Sequence, residues 1–168
     1  MSKAVLFGIN YIKTPSARLK GCVNDVNNMA HYLSNKEEYD IVKVYTDEKN
    51  EYKTRANAII NTVYKLAIDS HRYKLKRVWI HFSGHGCGIM DRNKDESDGR
   101  DECIVPSDFK RSGVITDDLI KRVLRYFNKN TIPNDNTIEY TTKGILLSFT
   151  VLINIIQRYK KSQSYYIL

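Results

Sequence analysis

Residues 77–86 read Arg77-Val78-Trp79-Ile80-His81-Phe82-Ser83-Gly84-His85-Gly86. Val78, Trp79, Ile80 and Phe82 put apolar side chains on both sides of a six-residue run, the pattern of a strand covered on both faces. The run ends abruptly in a serine and a histidine held between glycines. Upstream, KAVLFGI at 3–9 and IVKVY at 41–45 predict two more strands. Between them, Asn24 or Asp25 caps a helix to about Ser34, with Val26, Met29, Ala30 and Leu33 along one side. Thr54 opens a longer helix, with Ala58, Ile59, Val63, Leu66 and Ala67 at helical spacing. Downstream lie a short strand at 103–105 and an amphipathic helix from Thr116 with Leu119, Ile120, Val123, Leu124 and Phe127 inward. A fourth apolar segment follows at 145–153. Strands alternating with helices predict an α/β fold, a mostly parallel sheet with helices on both faces. Such sheets bind ligands beyond the carboxyl ends of their strands, which singles out residues 83–88.

The chain has 168 residues, enough for one domain, and 42% hydrophobic with 27% charged residues excludes a disordered or fibrous chain. Three cysteines, an odd number, behind a start with no leader pattern predict reduced thiols and a cytoplasmic protein rather than a disulfide framework. The longest apolar run, 144–157, is too short to span a bilayer. With 27 Lys+Arg against 19 Asp+Glu the net charge is +8. Residues 119–168 hold 8 basic and 2 acidic side chains, so 27 − 8 = 19 basic and 19 − 2 = 17 acidic residues remain in 1–118. A basic C-terminal third allows a nucleic-acid or membrane-surface module. No nucleic-acid motif accompanies it, and a solvated helix face with a tail is the preferred explanation.

Three groups carry candidate chemistry. His85, between Gly84 and Gly86, is placed as an accessible general base. Six acidic residues, Asp91, Asp95, Glu96, Asp98, Asp101 and Glu102, resemble a calcium loop at first. An EF-hand is ruled out, because Glu96 stands where glycine must turn the chain and no helix precedes. Hard oxygen ligands from this loop and from Asp117-Asp118 still suit calcium, whereas Asp117 and Asp118 alone are also ordinary helix-start residues. His81, His85, Cys87 and Cys103 are the zinc candidates; a mid-strand His81 turns away from its neighbours, so the four do not converge.

Several motifs together carry a resemblance. Phe7-Gly8-Ile9-Asn10-Tyr11, Leu19-Lys20-Gly21-Cys22-Val23-Asn24-Asp25-Val26 and His81-Phe82-Ser83-Gly84-His85-Gly86 resemble the large-subunit region of type I metacaspases. Asp98-Gly99-Arg100-Asp101-Glu102, Val105-Pro106-Ser107-Asp108-Phe109 and Gly113-Val114-Ile115-Thr116-Asp117-Asp118 continue it in order, over about residues 4–127. The resemblance implies a caspase-like three-layer fold and a calcium-activated cysteine endopeptidase ancestry with cleavage after Arg or Lys. It implies His85 as catalytic histidine, Asp25 as the acid of the substrate pocket, Cys22 as a pocket cysteine, and Asp101, Asp117 and Asp118 as calcium ligands.

The family places its nucleophile just after the fourth strand, in an Asp-x-Cys-His-Ser-Gly-like turn. Here that segment is Ile145-Leu146-Leu147-Ser148-Phe149-Thr150-Val151, and no cysteine follows Cys103. A second pocket aspartate and a further calcium aspartate are missing with it. Residues 1–151 therefore read as the caspase-like domain, incomplete at its C-terminal edge, and 152–168 as a basic tail. The leading expectation is an inactive or decoy member of the family acting on a polypeptide or a caspase-like partner, without specific nucleic acid or a transmembrane segment. An active endopeptidase using Cys22 or a partner's residue is the alternative, and a shifted reading frame accounts equally for the residues after 127. An uncovered sheet edge would favour self-association.

Overall fold

The computed structural model describes residues 1–90, 100–128, 145–151 and 164–167. In chain order the elements are β1 (Ser2–Gly8), α1 (Cys22–Asn35), β2 (Ile41–Thr46), α2 (Ala56–Arg72), β3 (Arg77–Gly84), β4 (Gly86–Met90), β5 (Arg100–Ile104), α3 (Phe109–Ser112), β6 (Ile115–Thr116), α4 (Asp117–Asn128), β7 (Ile145–Val151) and β8 (Ser164–Ile167). The main sheet has the order β2-β1-β3-β7-β8. Its first four strands are parallel, and β8 closes the β7 edge antiparallel. The α/β expectation holds. The edge beside β7, which the sequence left open, is paired within the chain, and β8 lies inside the stretch read as a tail.

The strand pleat sorts the core into two layers. Val5, Phe7, Ile80 and Phe82 face α2 and α4, whose Ile59 and Val123 meet them in one apolar cluster. Ala4 and Leu6 face the other way, against Val26 and Leu33 of α1. Gly8 lets α1 approach β1 closely: a Cβ there would stand 2.8 Å from the Cys22 carbonyl oxygen and closer still to Val26.

Helix starts differ from the sequence reading for one physical reason. Residue Cys22, not Asn24 or Asp25, begins α1, because Asn10 at the end of β1 reaches over and its Oδ1 accepts the Cys22 N–H at 3.1 Å. Likewise α2 begins at Ala56, whose N–H is accepted by Asp108 Oδ1 at 2.9 Å. Both caps are long-range side chains, where local Ser, Thr, Asn or Asp would be the usual suppliers.

At the carboxyl end of β3 the chain passes through His85 into a second, three-stranded antiparallel sheet ordered β4-β5-β6. The acidic stretch 91–99 lies outside the described residues. Among the described residues no helix is long and apolar enough to cross a membrane.

Candidate active site

Two neighbouring strand ends build the site. β1 runs out through Ile9, whose N–H donates to the Ser83 carbonyl at 2.9 Å, and then reverses at Tyr11, a buried residue held at φ 54°. The Tyr11 hydroxyl donates to the Val105 carbonyl at 2.7 Å and accepts the His85 N–H at 2.8 Å. Burial pushes its phenol pKa far up, so it stays a neutral donor. Gly84 makes room for it, since a Cβ there would come within 2.9 Å of that hydroxyl and 2.8 Å of the Phe82 ring.

His85 is half-buried, its ring 4.7 Å from that of Tyr11. Nε2 lies 2.7 Å from the Ala17 carbonyl oxygen. A carbonyl can only accept, so Nε2 carries the hydrogen and donates it. The neutral ring therefore keeps Nδ1 as the nitrogen able to take a proton, fixed in direction by the bond at the far side. This is the arrangement a general base requires.

Beside it, Ser83 Oγ donates to Asp25 Oδ2 at 3.0 Å, joining β3 to the first turn of α1. Asp25 lines a hollow of about 380 Å³ with Asn28, Met29, Tyr32 and His81. A carboxylate half-exposed at such a hollow can receive a basic side chain. His81 is buried, and among the described residues neither ring nitrogen has a hydrogen-bond partner. Burial pushes its pKa down to about 4, against the opposing pull of Asp25, and keeps it neutral.

Burial disfavours the thiolate at two of the three cysteines, Cys22 and Cys103. Cys22 is fully buried; burial raises its thiol pKa, a hydrogen bond with Ser83 offsets part of this, and the nearby Asp25 carboxylate raises it further. A protonated thiol is a poor nucleophile. Cys87 and Cys103 face each other across β4 and β5, their sulfurs 2.7 Å apart. Burial, the Cys87 contact and the carboxylates of Asp101 and Asp117 push the Cys103 pKa up.

The expected calcium ligands share one region without closing on a point. Asp101 is buried on β5, and the pairing of Cys103 with Thr116 brings β5 alongside the start of α4. Asp117 Oδ1 accepts the Asp118 N–H at 2.9 Å, and its Oδ2 pairs with Lys121 at 2.9 Å. Among the described residues no three His, Cys, Asp or Glu side chains converge as a metal site, which applies to the zinc candidates too. The donor chemistry suits a hard cation, but the described geometry is that of a helix start.

Three contributors escaped the sequence reading. Tyr11 and Asn10 showed only as members of a motif, and Asp108 as part of another. Asn10 also donates through its side chain to Glu48, and its own N–H is accepted by Asp47.

A family model described as metacaspase, peptidase C14 domain, matches residues 2–132. The chain belongs to the metacaspase family. It is 41% identical over 121 residues to metacaspase-1B of Aspergillus oryzae, covering 69% of this chain and 28% of that protein. With metacaspase-1A of Aspergillus niger the identity is 39% over 127 residues, 73% of this chain and 30% of the relative. The chain thus spans less than a third of the length of either metacaspase. Among solved structures, protein GSU0716 from Geobacter sulfurreducens superposes with a TM-score of 0.55 at 23% identity, over 75% of this chain and 45% of that one. That likeness supports the α/β architecture expected of a caspase-like fold.

Proposed function

We propose that this metacaspase-family chain retains the proton-accepting and basic-side-chain-binding half of a cysteine peptidase site and lacks the thiol half, so that it engages polypeptides without cleaving them. The observation that carries the reading is the register of β3 with β7. Gly84, directly before His85, pairs with Val151. The sequence continues from Val151 as Leu152-Ile153-Asn154-Ile155, and no cysteine lies anywhere beyond Cys103. A histidine base without a thiolate cannot start acyl transfer by this chemistry. Asp25, with Cys22 buried beneath its helix turn, would receive an Arg or Lys side chain in the hollow. Calcium on Asp101, Asp117 and Asp118 rests on the family resemblance and would require Asp117 to release Lys121. Three unbridged cysteines fit a reducing, cytoplasmic setting.

The proximity of Cys22 to Ser83 and Asp25 favours one rival, an active peptidase that uses Cys22. Hydrolysis of Arg- and Lys-terminated fluorogenic peptides, with and without calcium, separates the two readings. The expected result is no turnover by the chain, His85→Ala or Cys22→Ala. An Arg-containing peptide should still bind, and Asp25→Asn should weaken that binding about tenfold or more, since a hydrogen bond to a charged group contributes roughly 1.5–3 kcal/mol. Calcium-dependent turnover lost in both His85→Ala and Cys22→Ala would establish the active enzyme.

A further inference from the structure

The β4–β5 hairpin holds a pair of thiols that the peptidase reading does not use. Gly86 pairs with Ile104 and Cys87 with Cys103, directly opposite in an antiparallel ladder. Opposed residues in such a ladder have Cα atoms about 4.5–5.5 Å apart, within the roughly 4.4–6.8 Å span of disulfide bonds. The side chains already meet: the sulfurs are 2.7 Å apart, and the Cys103 thiol donates to the Cys87 carbonyl at 3.0 Å. Cys87 is half-buried and Cys103 is buried. Cys22 is buried at the start of α1, engaged with Asn10 and Ser83.

We infer that Cys87 and Cys103 form a reversible cross-strand disulfide that fastens the segment following His85 to β5. Half-exposed Cys87 is the entry point. Its thiolate, having given its proton to solvent, attacks one sulfur of a low-molecular-weight disulfide such as oxidised glutathione. The oxidant's S–S bond breaks, and one thiolate leaves with the electron pair and takes up a proton. Cys103, losing its own proton, then attacks the Cys87 sulfur and expels the second thiol. The two protein thiols together lose two electrons and two protons, and the oxidant becomes two thiols.

The position gives the bond its consequence. Val105 N–H donates to the His85 carbonyl at 3.0 Å, and the Val105 carbonyl accepts the Tyr11 hydroxyl that also holds the His85 N–H. The disulfide adds a covalent rung two residues along the same ladder, so oxidation restrains the backbone that aims the imidazole. Nothing in this depends on whether the chain cleaves peptides.

The test equilibrates the purified chain in glutathione buffers from fully reduced to fully oxidised, quenches in acid, alkylates in denaturant and maps peptides by mass spectrometry. In oxidised buffer only Cys22 should take up the reagent, and a Cys87–Cys103-linked peptide should appear two hydrogens lighter than its parts. A dithiol reductant should return all three cysteines to the alkylated pool. Cys22→Ser should behave as the parent, and Cys87→Ser should leave Cys103 alkylated throughout. Amide exchange in β4 should slow on oxidation and not change in Cys87→Ser. Alkylation of both Cys87 and Cys103 across the whole series overturns the proposal, as does arrest at a Cys87–glutathione adduct. So does a bond to Cys22 or to a second chain.

Discussion

The two faces of the main sheet are built to different rules. On one, Phe7, Ile80 and Phe82 of the strands lock against Ile59 and Val63 of α2 and Val123 of α4, all apolar and all buried. On the other, α1 covers Ala4 and Leu6, but the same β3 strand turns Trp79, His81 and Ser83 that way. Among the described residues the Trp79 Nε1 and both His81 ring nitrogens are buried without hydrogen-bond partners, and a hollow opens beside His81 at Asp25. Apolar burial stabilises the first face, around a small cavity of about 20 Å³ lined by Phe7, Ile80, Phe82, Ile59 and Val123; the second buries polar ring nitrogens, which is destabilising where they stay unpaired. Asp25, the proposed recognition residue, lies on that second face, at the hollow. A strand that must supply both a rigid core and a reactive terminus separates them by its pleat.

The largest expected effect tests the packed face. Phe82→Ala should lower unfolding free energy by about 3–5 kcal/mol, read as a shifted urea midpoint with an unchanged slope. A loss under about 1 kcal/mol would show that this face relaxes as freely as the other.

Next comes acid. His81 titrates at about 4 when folded against 6.5 in its ordinary state, so on acidification the unfolded chain takes up the proton first. Proton uptake by the histidine therefore costs nothing above pH 6.5, and stability falls as pH drops from there towards 4, by up to about 3 kcal/mol. His81→Phe should flatten the stability curve within that window, measured by urea unfolding at a series of pH values. A parent curve already flat between those limits would break the contrast between the faces.

The smallest effect concerns what the faces share. Asn10→Ala, at the start of α1, and Asp108→Ala, at the start of α2, should each cost about 1 kcal/mol, within roughly 0.5–2. Near-equal values by thermal unfolding would show that the faces differ in packing and polarity and not in how their helices are anchored.

Much of this was legible in the residues. Apolar runs at 3–9, 41–45 and 77–82 mark the three strands, because a strand covered on both faces leaves no polar alternation to confuse the pattern. His85 stood out through its glycines. β4 did not, since Gly86-Cys87-Gly88 has almost no side chains to express a strand preference, and its pairing with β5 alone makes it one. Helix starts were misplaced where the cap came from a distant residue. Tyr11 was invisible as a support because its task depends on a reversed backbone bringing its hydroxyl between His85 and Val105, a relation across 94 positions of sequence.

The start of α2 has a consequence for the order in which the molecule is made. Neither Arg55 nor any acidic side chain in the first turn supports that end of the helix. Its first N–H waits for Asp108, 52 residues later, and the buried Thr54 beside it donates to Ser107 Oγ while its carbonyl accepts the Ser107 N–H. During synthesis α2 therefore emerges before its anchor exists, and β3, β4 and β5 must all be laid down before the anchor arrives. Contacts across such a separation close late. The first turn of α2 thus reports whether the Pro106-Ser107-Asp108 segment has docked, and a nascent chain stalled short of residue 108 should expose that turn to proteases that spare it in the finished protein.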